Sequence, residues 1–142
     1  MSITDLDVAK HILKQVKTEV GTLFFFNHIA VVEFDESAHV DLISAQDTIH
    51  NLMSYFGQSR PFGLIANRIN SYSISLLDVQ EIKPVLQNMI AYGVVSHDHA
   101  SKMGAEIENG FCESQQIHFK DIHECLNSVY SRVRERLMLS LN

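Results

Sequence analysis

Two short runs that are apolar at almost every position, residues 62–66 and 90–96, constrain this chain more than any other feature. Between them lies a segment of helix length in which Val79, Ile82, Leu86 and Met89 recur at three- and four-residue steps. A strand without polar alternation is buried on both faces, the condition of a central strand in a parallel sheet. The helix between the runs is long enough to return the chain in a right-handed crossover. The spacing therefore predicts residues 64–66 and 94–96 as adjacent central strands running the same way.

The remaining pattern extends this unit in both directions. Residues 16–20 and 22–26 are β-prone and hinge at Gly21, and residues 29–34 form a third run after an Asn27-His28 turn. From about Asp41 the period changes: Leu42, Ala45, Ile49, Leu52, Met53 and Phe56 form a helical stripe that Gly57 can end. Ser75 with Asp78 is a capping-box-like start for the helix that follows, and Pro84 should kink or split it. Asp98 can cap a helix through Ala100, Met103, Ile107 and Phe111, closed near Gly110. Residues 116–119 make a last strand. Asp121 with Glu124 then opens a final helix with the stripe Ile122, Cys125, Leu126, Val129, Val133 and Leu137. The order β-β-β-α-β-α-β-α-β-α implies one α/β domain over residues 1–142. Its mixed sheet has antiparallel N-terminal strands and a parallel centre, with helices mainly on one face.

Charge and cysteine usage exclude several function classes. With 17 acidic against 11 basic residues, the chain lacks the clustered Lys and Arg that neutralise phosphates, so no nucleic-acid partner is expected. Arg132, Arg134 and Arg136 alternate with Glu135 and read as a solvated helix face. Cys112 and Cys125 fit neither a disulfide framework nor a zinc spacing. No run approaches the length of a membrane span, and no signal-peptide pattern opens the chain, so a cytoplasmic protein is expected. Neither a G-x-G-x-x-G turn, a P-loop nor a nucleophile elbow occurs, and no cofactor is expected.

The polar ending of the first apolar run is the leading site candidate. Asn67, Arg68, Asn70, Ser71, Tyr72 and Ser73 follow the strand at its carboxyl edge, where open α/β sheets place their crevices. Their amides, guanidinium and hydroxyls suit an anionic or carbonyl-bearing ligand. The competing reading is a tight turn whose amides and hydroxyls bond their own backbone while Arg68 pairs with a carboxylate. Ser75, at a helix start, is either a phosphoacceptor or a plain N-cap, the second being the commoner role.

This element order, with the loop Asn67-Arg68-Ile69-Asn70-Ser71-Tyr72-Ser73 and the strand end Val94-Val95-Ser96, resembles the small bacterial STAS/SpoIIAA-like proteins, which share a lobe with Sec14-type lipid-transfer domains. The resemblance spans about residues 16–137. It implies a regulatory module that binds a protein partner, or a carrier of a small amphipathic or lipid-like ligand. In anti-sigma-factor antagonists of that fold, a phosphorylated Ser sits in an Asp-Ser-Ser-Gly motif after a central strand. Ser73 and Ser75 occupy that place here, without the Asp before or the Gly after. An enzyme using the Arg68 loop is the third reading.

Other residues carry blander expectations. His97-Asp98-His99 reads as an exposed turn rather than a metal site, for no third ligand is set by spacing. Glu33, Asp35, Glu36 and Asp41 read as a solvated acidic loop. Cys112 lies beside Glu113, which disfavours a thiolate, and Cys125 sits on an apolar stripe as a small core residue. Phe24, Phe25 and Phe26 are consecutive, so the strand is buried on both faces or turns one ring to a ligand or a second copy of the chain. The tail Leu137, Met138, Leu139 and Leu141 either docks on the core or forms a partner-contact patch, and a homodimer is among the expected partners.

Overall fold

The β-branched and aromatic runs pair in sequence before the first helix intervenes. In the computed structural model, which describes residues 1–96 and 118–141, β1 (Lys14–Lys17), β2 (Gly21–Phe25) and β3 (Ile29–Phe34) form an antiparallel meander. Beyond β3 the pairing turns parallel, through β5 (Phe62–Asn67), β7 (Met89–Val95) and β8 (His118–Phe119). The sheet order is β1-β2-β3-β5-β7-β8. The central pair is the one the apolar runs predict: Ile65 lies opposite Gly93, and Ala66 opposite Val94, in parallel register. A separate two-stranded parallel sheet, β4 (His39–Val40) with β6 (Ser73–Ile74), was not foreshadowed by periodicity. Two-residue strands are too short to show any.

The pleat sorts the apolar residues into two cores. On one face Leu23, Phe25, Val32, Leu64 and Val94 pack beneath α1 (Gln46–Phe56) and α2 (Leu76–Val85). On the other, Phe24, Val31, Ile65 and Val95 pack against α3 (Ile122–Leu141) and the N-terminal arm, whose Ile3 is fully buried. Two of the three described helices thus share one face, and α3 with the arm covers the opposite one. The three phenylalanines divide accordingly: Phe24 and Phe25 are buried on opposite faces, while Phe26 is only partly buried.

Local signals held at some helix ends and failed at others. Asp121 caps α3, its Oδ1 accepting from the His123 N–H at 3.1 Å. Ser75 does not cap α2 through its side chain. Its intended box partner Asp78 instead accepts from the Leu42 N–H at 2.9 Å, because the loop before α1 packs onto the start of α2. Before α1, Asp41 and Ser44 bond each other's backbone N–H reciprocally, at 2.8 and 3.0 Å. Helix α2 ends one residue past Pro84 rather than running on to Met89, which is the first residue of β7. The expected helix at Ala100, Met103, Ile107 and Phe111, with His97-Asp98-His99 and Cys112, lies outside the described residues.

Two positions test this packing. A Cβ built on Gly63 would stand 2.2 Å from Val129 Cγ1, so β5 and α3 approach closely only because Gly63 has no side chain. Gly63→Ala should lower stability by about 1–3 kcal/mol through overpacking, read from the urea midpoint. Gly63→Ala with Val129→Ala should be less destabilised than the sum of the two single changes. Cys125 is fully buried, and burial pushes its thiol up to about 12. Iodoacetamide at pH 8 with peptide mapping should leave Cys125 unmodified in the native protein and modify it in urea. A folded value above the unfolded one means that this group's contribution is intact below the unfolded value of about 8.5 and is lost as pH rises towards 12.

Candidate functional site

Strand geometry acts first on the loop that the sequence singles out. Successive side chains of an extended chain point to opposite faces, so Asn67 and Arg68, neighbours at one rim, cannot share a crevice there. Asn67 turns to the α3 face with Val31 and Ile65, while Arg68 turns to the face of α1 and α2 with Phe34 and Tyr72. The carboxyl edge therefore carries two polar arrangements where the sequence suggested one.

On the α3 face, the pairing of Val32 with Ala66 brings Glu33 beside Asn67. Glu33 Oε2 accepts from Asn67 Nδ2 at 2.8 Å and from the Ile3 N–H at 2.7 Å, and Oε1 accepts from the Ser2 hydroxyl at 2.7 Å. Asn67 Nδ2 also donates to the Met1 carbonyl at 3.1 Å. Sequence reading placed Glu33 in a solvated acidic loop. It is instead buried at the end of β3, its carboxylate stabilised by three donors. This clasp ties the first residues of the chain to the sheet.

On the opposite face the Arg68 guanidinium carbon lies 3.8 Å from the centre of the Tyr72 ring, and Nη2 donates to the Tyr72 carbonyl at 3.1 Å. Tyr72 in turn packs on Phe34, with ring centres 4.7 Å apart. Arg68 is only 5% exposed. Asn70 Nδ2 donates to the Phe34 carbonyl, and the Ser71 N–H to Glu36 Oε2, each at 3.1 Å. The Ser71 carbonyl accepts from the N–H of Ser37, a residue at φ 63°, which closes the loop against the β3–β4 connection. Of the candidate residues, Ser71 and Ser73 are exposed, and Ser73 Oγ lies 2.7 Å from His39 Nδ1. Ser75 is half-buried, its N–H donating to the Val40 carbonyl.

A groove opens at the other end of the sheet, where the parallel strands begin. It has a volume of about 860 Å³. Its floor is Phe26, Ile29 and Leu126, and the N-terminal arm walls it with Val8, His11 and Leu13. Asn27 and His28 from the β2–β3 turn and Asn127 and Tyr130 from α3 form a polar rim. The His28 ring sits 6.3 Å from that of Tyr130, and its Nδ1 is buried with no hydrogen-bond partner among the described residues. Burial, and then the nearby Arg60 cation, hold His28 below its ordinary value, so the imidazole is neutral at pH 7. Arg60 is anchored there through Nη2, which donates to the Asn27 carbonyl and, at 3.2 Å, to Asn27 Oδ1. Asn88 fixes that segment, donating to the Gly57 and Arg60 carbonyls at 2.9 and 2.7 Å.

Sequence reading gave Asn27-His28 only a turn and assigned the arm no role. The one legible signal was the third consecutive phenylalanine, since Phe26 is the ring that reaches the groove. Among the described residues, no group of three or more His, Cys, Asp and Glu is placed to hold a metal ion. No described helix is long and apolar enough to cross a membrane. No protein-family model, curated protein or solved structure matches the chain.

The two rim arrangements make separate predictions. Arg68→Ala removes a desolvated cation from the Tyr72 ring and should cost about 2 kcal/mol or more in urea unfolding. Glu33→Gln replaces an acceptor of three hydrogen bonds by a group that itself donates. It should expose the first residues to limited proteolysis and lower stability by about 2–3 kcal/mol.

Proposed function

We propose that this protein binds a small amphipathic molecule in the groove between the N-terminal arm, the β2–β3 turn and α3. One observation carries the reading: a cavity of about 860 Å³ joins an apolar floor to a polar rim on which a buried imidazole nitrogen has no partner among the described residues. That volume lies within the ~300–1,000 Å³ range of small-molecule sites, and a few placed polar groups over apolar walls are their usual composition. The carrier role that the Sec14-type resemblance implies agrees with this cavity, though the cavity stands at the opposite end of the sheet from the Asn67–Ser73 loop.

A second reading, a regulatory module of STAS/SpoIIAA-like type with a protein partner, is favoured by a different observation. Ser71 and Ser73 are exposed, Ser73 beside His39, and Met138 and Leu139 are exposed near the end of α3, where a homodimer contact would form. The enzyme reading has less support, because Arg68 is buried under Tyr72 rather than offered to a substrate.

The neutral fluorescent probe N-phenyl-1-naphthylamine tests the first reading. Its emission should rise on addition of the protein, and decane-chain amphiphiles should compete it away. Leu126→Trp, which fills the floor, should weaken probe binding by about tenfold or more while leaving the urea midpoint nearly unchanged. No enhancement with the wild-type chain would remove the ligand-binding reading.

A further inference from the structure

We propose that the head group read in this groove is a carboxylate, so that the ligand is a single-chain aliphatic acid held by its tail on Phe26 and Leu126 and by its head at His28. The inference rests on the ligand-binding reading above and adds the chemistry of recognition. Three kinds of head group would fit the space: a cation, a neutral hydroxyl and an anion.

Charge separates them. The chain is acidic, 17 carboxylates against 11 cations, yet among the described residues no Asp or Glu lines the groove. A charge that does act on its rim is the Arg60 guanidinium, tied to Asn27 and close enough to disfavour a proton on His28. A cationic head would meet this field without a counter-charge and is rejected. A hydroxyl can satisfy His28 Nδ1 but gains nothing from Arg60. A carboxylate gains from both, accepting a hydrogen bond from the imidazole while lying in the field of the guanidinium. The floor contributes in proportion to the apolar area buried, which sets chain length rather than head-group choice.

Protonation follows from the same geometry. In the empty groove His28 is neutral, and a carboxylate placed against it favours the imidazolium, so binding should take up a proton. Among the described residues, the groups facing His28 are Arg60 from the segment before β5, Tyr130 from α3, and His11 across the groove from the arm. His11→Asn therefore separates the second groove imidazole from His28.

Titration calorimetry with decanoate, decanol and decyltrimethylammonium, each below its micellar concentration, tests the proposal. Decanoate should bind the wild-type protein about tenfold more tightly than decanol, as one charge-assisted hydrogen bond provides, and the ammonium should not bind. Decanoate affinity should rise as pH falls from 8 to 6, with proton uptake seen in buffers of different ionisation enthalpy, and decanol affinity should stay flat. His28→Phe keeps a ring against Tyr130 and should abolish both the preference and the pH dependence while still binding decanol. A pH dependence that His28→Phe keeps and His11→Asn removes would assign the proton to His11 and overturn the proposal, and Arg60→Gln should reduce the preference without removing tail binding. Equal affinity for decanoate and decanol, or a preference that survives His28→Phe, overturns the carboxylate and leaves the ligand-binding reading standing. No binding of any of the three chains, with no probe enhancement, overturns both.

Discussion

The buried carboxylate of Glu33 is the interaction on which the two ends of this molecule depend. An ionised group at the end of a central strand is costly unless donors surround it, and here three do: the Ser2 hydroxyl, the Ile3 backbone and the Asn67 amide. Two of those donors belong to the first residues of the chain, so satisfying the charge also fixes where the arm begins. Ile3 is then fully buried against the sheet, and the arm crosses the α3 face until the Leu13 N–H meets the Phe25 carbonyl at 2.7 Å. What it walls on the way is the groove. A polar contact at the carboxyl end of the parallel strands thereby shapes a cavity at their amino end.

The same constraint explains why the carboxyl edge is occupied by the chain itself. Its amides and guanidinium satisfy internal carbonyls, carboxylates and ring faces, leaving Ser71 and Ser73 as its exposed hydroxyls among the candidate residues. At the amino end the balance reverses. There the β2–β3 turn, α3 and the N-terminal arm enclose a space between them. Within it the buried His28 Nδ1 has no hydrogen-bond partner among the described residues. Asn88 and Arg60 brace this end from the other core, so the rim that would read a head group is held by hydrogen bonds to carbonyls rather than by a loop alone.

Sequence patterning determined the sheet centre, because an apolar run buried on both faces and a helix of crossover length leave few alternatives. It also determined the α3 stripe, where Ile122, Cys125, Val129 and Val133 are buried as their three- and four-residue steps require. Three further matters were decided only in three dimensions. Asn67 and Arg68 are adjacent in the chain but separated by the pleat, so a site drawn from proximity in sequence divides between two faces. Asp78 turns its carboxylate to the Leu42 N–H because the loop before α1 packs onto the start of α2, a competitor no local motif can register. The groove joins residues 8–13, 26–29 and 126–130, segments more than a hundred positions apart at their extremes. Local periodicity reports which face of an element is buried. Which distant elements leave a space between them depends on how the cores close, and that is decided by tertiary packing alone.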